Sequence, residues 1–312
     1  MKNTKLKGNL MLLLTAFIWG TSFIAQSIGV NSISPFTFIG IRSLLGGLVL
    51  LPVIYLLDMG KKKRNQPVIK FDKKLLAGGI SCGIILCAAS TLQTAGMIYT
   101  SPGKSGFITA LYMVIVPIIG LFMGKKISLP IVAAVIGAVI GMYLLCIDSA
   151  FSINKGDVLT LICAFIFSAH ILVIDYFSPQ TDGIKLSCLQ FFVCGIIATL
   201  IAVIFERPAV APIMESWIPL CYSGFLSCGV AYTLQVVGQK YTDPTSASIL
   251  MSLESVFATL STVVLVALGW NLTGGTLSPR EIAGCVLMFI SIMLVQLPDM
   301  KNRSKASSLS AD

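Results

Sequence analysis

The stretch Thr91-Leu92-Gln93-Thr94-Ala95-Gly96-Met97-Ile98-Tyr99-Thr100-Ser101-Pro102 comes back as Thr233-Leu234-Gln235-Val236-Val237-Gly238-Gln239-Lys240-Tyr241-Thr242-Asp243-Pro244. Seven of the twelve positions are identical at a constant offset of 142 residues. Apolar segments resemble one another by composition alone, but a shared order of Thr, Leu, Gln, Gly, Tyr, Thr and Pro marks an internal repeat. Towards the amino terminus an offset of 148 applies instead. It pairs Lys7-Gly8 with Lys155-Gly156, Ala16-Phe17-Ile18 with Ala164-Phe165-Ile166, and Gly47 with Gly195. The difference of six residues fits a shorter connection in the second half, which has no counterpart of the basic stretch Lys61–Lys74. The repeats are read as residues 8–147 and 155–297, followed by a polar cytoplasmic tail, 298–312.

The repeat is set in apolar sequence. Hydrophobic residues make up 56% of the chain and charged residues 11%, with a mean hydropathy of +0.91. A soluble domain carries about 25% charged residues, so this chain has too few to cover a water-facing surface. The charges cluster and leave uncharged runs such as Asn9–Asn31, Leu75–Gly103, Ser105–Gly124 and Ser216–Gln239. Such runs reach the roughly 20 apolar residues that cross a bilayer as a helix. Ten helices are predicted, at 9–28, 35–57, 75–98, 103–123, 128–147, 157–177, 185–205, 216–240, 244–268 and 279–297. Ser34-Pro35, Ser101-Pro102 and Asp243-Pro244 each place a capping side chain before a proline at the first helical position. Lys2, Lys5 and Lys7 ahead of the first run imitate a signal peptide. The run is too long for one and no small-x-small site follows, so it reads as an uncleaved first helix.

Lysine and arginine set the orientation. With the amino terminus in the cytoplasm, the cytoplasmic segments hold 17 of them, against four in the opposite loops (Lys104, Lys155, Arg207 and Arg280). Both termini are therefore expected on the cytoplasmic side of a cell membrane. Each repeat holds five spans, an odd number, so the second must run inverted relative to the first. The expected fold class is an all-α polytopic membrane protein, with ten transmembrane helices in two inverted five-helix repeats. Inverted repeats are a recurrent plan of secondary transporters, which bind substrate near the midplane between the halves.

Other classes are disfavoured. No phosphate loop of the G-x-x-x-x-G-K-[ST] type is present, so ATP hydrolysis is not expected. A net charge of +9 would suit nucleic acid, but its placement in alternate loops accounts for it, and no nucleic-acid partner is expected. The nine cysteines lie in apolar segments without a C-x-x-C and read as small packing residues. One histidine and no carboxylates paired at catalytic spacing suggest neither a metal site, a cofactor nor an enzyme.

Several segments resemble the EamA-type carriers of the drug/metabolite transporter superfamily. In the first half these are Ala16-Phe17-Ile18-Trp19-Gly20, Arg42, Ser105-Gly106-Phe107-Ile108-Thr109-Ala110-Leu111-Tyr112 and Val116-Pro117. In the second half it is Ser252-Leu253-Glu254-x-Val256-Phe257-Ala258. The resemblance spans about residues 8–297 and implies ten helices, two inverted halves and a cavity lined by helices 1, 3, 4, 6, 8 and 9. It also implies a carrier of amino acids or related metabolites, many such proteins being exporters. The chain departs from the family pattern at Ser255, where a proline is usual, and at Trp270, where an acidic residue commonly closes the helix.

Glu254 is the first candidate for chemistry. An ionisable group inside a membrane helix is costly and usually faces a cavity or marks an ion path. At about ten residues into its helix it lies near mid-depth, suited to carry a proton, to pair a substrate ammonium, or to serve as an interhelical acceptor. Arg42, paired by the repeat with Gln190, suits a carboxylate, though snorkelling is an equal reading. His170, paired with Ser22, titrates near neutrality or acts as a satisfied interhelical group. Asp175 lies near the cytoplasmic end of its helix, where it is expected to reach water. Thr15, Trp19, Ser22 and Gln26 share one face of the first helix, and Trp19 pairs with Phe167. Gln93 and Gln235 read as gates or clamps near opposite faces. Tyr112 is the counterpart of Glu254, and Pro117 is expected to kink or loosen the fourth helix. The leading expectation is a secondary transporter of a small organic metabolite by alternating access, embedded in lipid and coupled to protons through Glu254. Two alternatives stay open. One is efflux of organic cations or drugs, with Trp19 as cation–π partner. The other is a lipid-handling or non-transporting protein whose polar groups only fix packing.

Overall fold

The computed structural model describes residues 2–68, 71–100, 102–124, 128–146, 154–269, 278–280, 282–291 and 294. The expected tail, 298–312, the cap Ser101 and the last residues of the expected tenth helix lie outside them. Every regular element among the described residues is helical: α1 Lys2–Val30, α2 Pro35–Lys63, α3 Lys73–Gly96, α4 Pro102–Thr109, α5 Tyr112–Phe122, α6 Leu129–Cys146 and α7 Lys155–Phe177. There follow α8 Gly183–Phe205, α9 Val210–Glu215, α10 Trp217–Cys221, a π-helical stretch Tyr222–Tyr232, α11 Thr233–Gln239, α12 Pro244–Met251 and α13 Glu254–Ala267. A further short helix, α14, is described at Ile282–Ser291. Among the described residues, eight helical spans are long and apolar enough to cross a membrane, four of them assembled from consecutive pieces: α4–α5, α7 with the 3-10 turn Ser178–Gln180, α10–α11 through the π-helical stretch, and α12–α13. The shorter apolar helices Leu129–Gly141 and Ile282–Ser291 stand where the expected fifth and tenth spans were read. Leu10, Leu14, Phe17, Leu200 and Val203 point outward, as lipid-facing side chains do.

Helix starts are fixed by carboxylates. A helix begins with unpaired N–H groups and positive dipole character, which a side-chain acceptor satisfies. Asp72 accepts from Leu75 N (2.8 Å) and Asp243 from Ser246 N (2.9 Å). Asn154 and Asp157 form a reciprocal capping box. The expected cap at Ser34 is different: its backbone is extended but its hydroxyl makes no capping bond. Glu206, just past the end of α8, does that work. Its carboxylate accepts from Phe36 N (2.9 Å), Thr37 N (2.7 Å) and Thr37 Oγ1 (2.7 Å). A full charge outcompetes a hydroxyl at a helix start.

The same antiparallel pair, α2 and α8, is closed at its other end by Lys185 Nζ on Asp58 Oδ2 (2.7 Å) and Lys61 Nζ on Asp182 Oδ2 (3.0 Å). Glycine permits the closest crossings. A Cβ placed on Gly156 would lie 2.4 Å from Gly96 O and 2.9 Å from Tyr99 Cβ. One placed on Gly8 would lie 3.0 Å from both Gly238 O and Tyr241 Cβ. Beside the first crossing Thr100 Oγ1 donates to Asp157 Oδ1 (3.0 Å); beside the second Thr242 Oγ1 donates to Asn9 Oδ1 (2.9 Å). Successive long helices return through short connections. The Gly8–Gly238 crossing therefore shares the amino-terminal end of the bundle with Asp58 and Lys185, and Gly96–Gly156 shares the opposite end with Thr37 and Glu206.

Candidate functional site

Two membrane-length spans are interrupted, at Ala110-Leu111 and at Ser252-Leu253. The turns are tight rather than unwound, with i to i+3 bonds such as Met113 N to Ala110 O (3.0 Å) and Ser255 N to Ser252 O (3.2 Å). Leu111 (φ −57°, ψ −14°) and Leu253 (φ −58°, ψ −14°) share one conformation. Tightened turns inside a helix often mark functional hinges. The interruption lies upstream of Pro117, which is buried within α5. The second span breaks in the same way with Thr259 at the matching position, so proline is not required. There Ser252 Oγ (to Ile249 O, 2.7 Å) and Ser255 Oγ (to Ser252 O, 2.9 Å) occupy backbone carbonyls, bonds that compete with regular helix.

Each break puts a polar side chain at the start of a new helix. Tyr112 opens α5 and Glu254 opens α13, both are buried, and Tyr112 OH donates to Glu254 Oε1 (2.9 Å). The interruption thus places Glu254 at the start of a helix rather than in the interior of a long one, a position where the helix dipole favours negative charge.

Around this pair lies a cavity of about 20 Å³. That is room for a water rather than a metabolite. Of the residues singled out in the sequence, Trp19, Gln26, Arg42, Gln93, Tyr112, Gln235 and Glu254 line it. Helix 2 contributes through Arg42, in addition to the helices that the family resemblance implied. The guanidinium is buried, its Cζ 5.8 Å from the Phe38 ring centroid, and Nε has no partner. No ion pair of Arg42 occurs among the described residues. Trp19 leans on Tyr232 (centroids 4.5 Å apart), with Nε1 unpaired. Gln93 Nε2 donates to Thr109 Oγ1 (3.1 Å) and Thr94 Oγ1 to Gln26 Oε1 (3.4 Å), while Gln235 Oε1 has no partner.

Two candidates stand behind the wall. His170 Nε2 is bonded to Gln190 Oε1 (3.1 Å), and its ring meets the edges of Phe167 and Tyr232 at 6.3 Å. Ser22 is fully buried, also off the lining, with Oγ unpaired. Asp175 is half-buried. The lining adds Phe23, Thr109, Phe167, Ile171, Ser227 and Tyr232. Tyr232 had a signal, since it directly precedes the repeated Thr-Leu-Gln and is a hydroxyl-bearing aromatic deep in an apolar run. Ser227 and Tyr232 depend on the π-helical stretch, a local geometry frequent at functional sites.

Comparison with known proteins agrees with this architecture. The model of the EamA-like transporter family matches residues 6–147 and again 154–297. An uncharacterized transporter of Archaeoglobus fulgidus is 31% identical over 300 residues, covering 94% of this chain and 87% of its own. A second uncharacterized transporter of that organism is 26% identical over 143 residues, 46% of each chain. A solved structure titled only as the crystal structure of a protein superposes with a TM-score of 0.72 at 19% identity, covering 94% of this chain and 98% of that one. By these matches and its apolar helices, the chain is a multi-pass integral membrane protein and belongs to the EamA-like transporter family of the drug/metabolite transporter superfamily.

Proposed function

We propose that the chain is a secondary carrier of a small zwitterionic metabolite, an amino acid or close relative, working by alternating access of two inverted five-helix halves in the cell membrane. One observation carries the substrate class: Arg42 and Glu254 line the same small void. A guanidinium without a carboxylate partner suits a substrate carboxylate. Glu254, with Trp19 and Tyr232 nearby, suits an ammonium group. Arg42 in the same void counts against simple organic cations. The void must widen to take a metabolite, which is what a moving pair of halves provides.

Inversion is supported by contacts that recur under the repeat. Gly96–Gly156 answers to Gly238–Gly8, Thr100–Asp157 to Thr242–Asn9, and the break before Tyr112 to that before Glu254. Residues 142 apart that touch each other, Tyr112 and Glu254, are what a pseudo-two-fold axis between the halves requires. Cytoplasmic termini follow from the lysine and arginine bias. Export as the direction, and the proton as coupling ion, extend the family resemblance and the position of Glu254.

Proteoliposomes test the proposal. Accumulation of a labelled amino acid under a pH gradient should be lost in Glu254→Gln, with exchange at zero gradient retained. Arg42→Gln should raise the substrate Kd about 100-fold, the loss of a charged hydrogen-bonded contact worth about 3 kcal/mol. Wild-type accumulation in Glu254→Gln would end the coupling role, and unchanged affinity in Arg42→Gln would end the carboxylate role.

A further inference from the structure

Under the proposed inversion, on which this inference rests, the two ends of the cavity correspond position by position. One turn beyond Gln93 stands Met97; one turn beyond Gln235 stands Gln239, its partner in the repeat. At the end that holds Met97, Phe23, Met97 and Ala258 form a buried apolar cluster, with Val30 packed against them. The corresponding residues towards the amino-terminal end are Ile171, Gln239, Val116 and Ser178.

Two of those four are polar and incompletely bonded. Gln239 is 2% exposed; Nε2 donates to Ile171 O (3.0 Å), but Oε1 has no partner. Ser178 is fully buried with Oγ unpaired, in a turn that packs on α11. Gln235, one turn away on α11, faces the cavity with its own Oε1 unpaired. Buried polar atoms in native proteins are almost always paired, and where protein supplies no partner an ordered water does. At the Met97 end Thr94 bonds Gln26, which lines the cavity, and Ser105, matched by Ala247 in the other half, is the buried hydroxyl left unpaired on α4.

We infer that Gln235, Gln239 and Ser178 bind a file of water joining the cavity to the amino-terminal end, while the Phe23, Met97 and Ala258 cluster keeps the other end dry. In the proposed orientation the wet side is cytoplasmic. Any proton that Glu254 exchanges in this conformation reaches it from that side, and the first solvent path to form on opening runs along α11.

Single cysteines on a cysteine-free background test the inference in proteoliposomes, at the paired positions Gln239→Cys with Met97→Cys and Ser178→Cys with Val30→Cys. The cysteine thiolate, which forms where water reaches, attacks methanethiosulfonate ethylammonium and forms a mixed disulfide with loss of methanesulfinate, so Gln239→Cys and Ser178→Cys should react about tenfold faster than their partners. Equal or reversed rates overturn the inference. A reciprocal exchange adds direction: Met97→Gln should raise the labelling of Val30→Cys towards that of Ser178→Cys, and no rise counts against the file. Hydrogen exchange of the unmodified protein needs no variant. Amides of 233–242 should exchange faster than those of 91–100, and the opposite order also overturns it. None of these readouts needs a transported solute. Asymmetric labelling without solute movement leaves the water file standing and removes the carrier, while solute movement with equal labelling does the reverse.

Discussion

Where α3 crosses α7, Gly96 faces Gly156, and Thr100 bonds Asp157. Where α11 crosses α1, Gly238 faces Gly8, and Thr242 bonds Asn9. The backbone approach and the threonine are common to both crossings, but the ionic finish is not. Lys104 Nζ sits 2.7 Å from Asp157 Oδ2, while the matching positions carry Ser246 and the neutral Asn9. The difference separates two kinds of constraint. Helix axes this close leave no volume for a side chain, whichever half they belong to. A partner for the threonine hydroxyl can be acid or amide, since either oxygen accepts. Sterics is therefore shared between the ends, and charge is free to differ.

Glycine replacement should give the largest effect. At Gly156 the nearest obstacle is the Gly96 carbonyl, 2.4 Å from a new Cβ, whereas at Gly8 it is the Thr242 hydroxyl at 2.8 Å, which can rotate. Gly156→Ala is expected to cost about 3 kcal/mol and Gly8→Ala about 1, read as thermal unfolding of purified protein. Equal losses would break the comparison by showing that approach distance does not set the cost. Next comes the cap on α2: Glu206→Ala should cost about 2 kcal/mol, and Glu206→Gln about half of that, because an amide keeps one acceptor.

Lys104→Ser gives the charged crossing the residue that its counterpart carries. With Lys104 about a third exposed, the loss should stay below about 1 kcal/mol and shrink further in salt. A larger, salt-independent loss would show that charge is as constrained as sterics. The smallest effect concerns acid. Burial works to raise the pKa of Asp182, but the Lys61 ammonium and the N–H groups of Lys185 and Ile184 outweigh it and hold the carboxyl below its ordinary value. Its folded pKa is below its unfolded one, so the stabilisation is complete above about pH 4 and fades as pH falls through the lowered value. Lys61→Met should leave stability at pH 7 within about 1 kcal/mol of wild type and move the acid limb of the stability profile upward. An unmoved limb would show that Lys61 does not set the titration.

Much of this was legible in the sequence because it depends on composition along the chain. Uncharged runs gave the spans, and Asp243 before Pro244 gave a helix start that the structure uses. Glu254 was conspicuous as a carboxyl in an apolar run. What could not be read depends on neighbours distant in sequence. Ser34 looked like a cap, but Glu206, far along the chain, supplies a stronger acceptor. The breaks at Ala110-Leu111 and Ser252-Leu253 shift ψ only slightly and need neither glycine nor proline. Periodicity placed Ser22 on the same face as Trp19 and Gln26 but not in the void, because a face is broader than the opening it borders. His170 found a partner in Gln190, one helix further round, which no spacing rule foretells.

The π-helical stretch Tyr222–Tyr232 has a mechanical corollary. A π turn spends more residues than an α turn, so the stretch holds slack within a continuous span. Each residue released by rewinding to α pitch would rotate everything downstream by about 100°. Gln235 and Gln239, which follow it on α11, would swing around the axis together while α1 stays in place. The helix would then behave as a camshaft, converting slack at one level of the membrane into a change of the side chains presented at another.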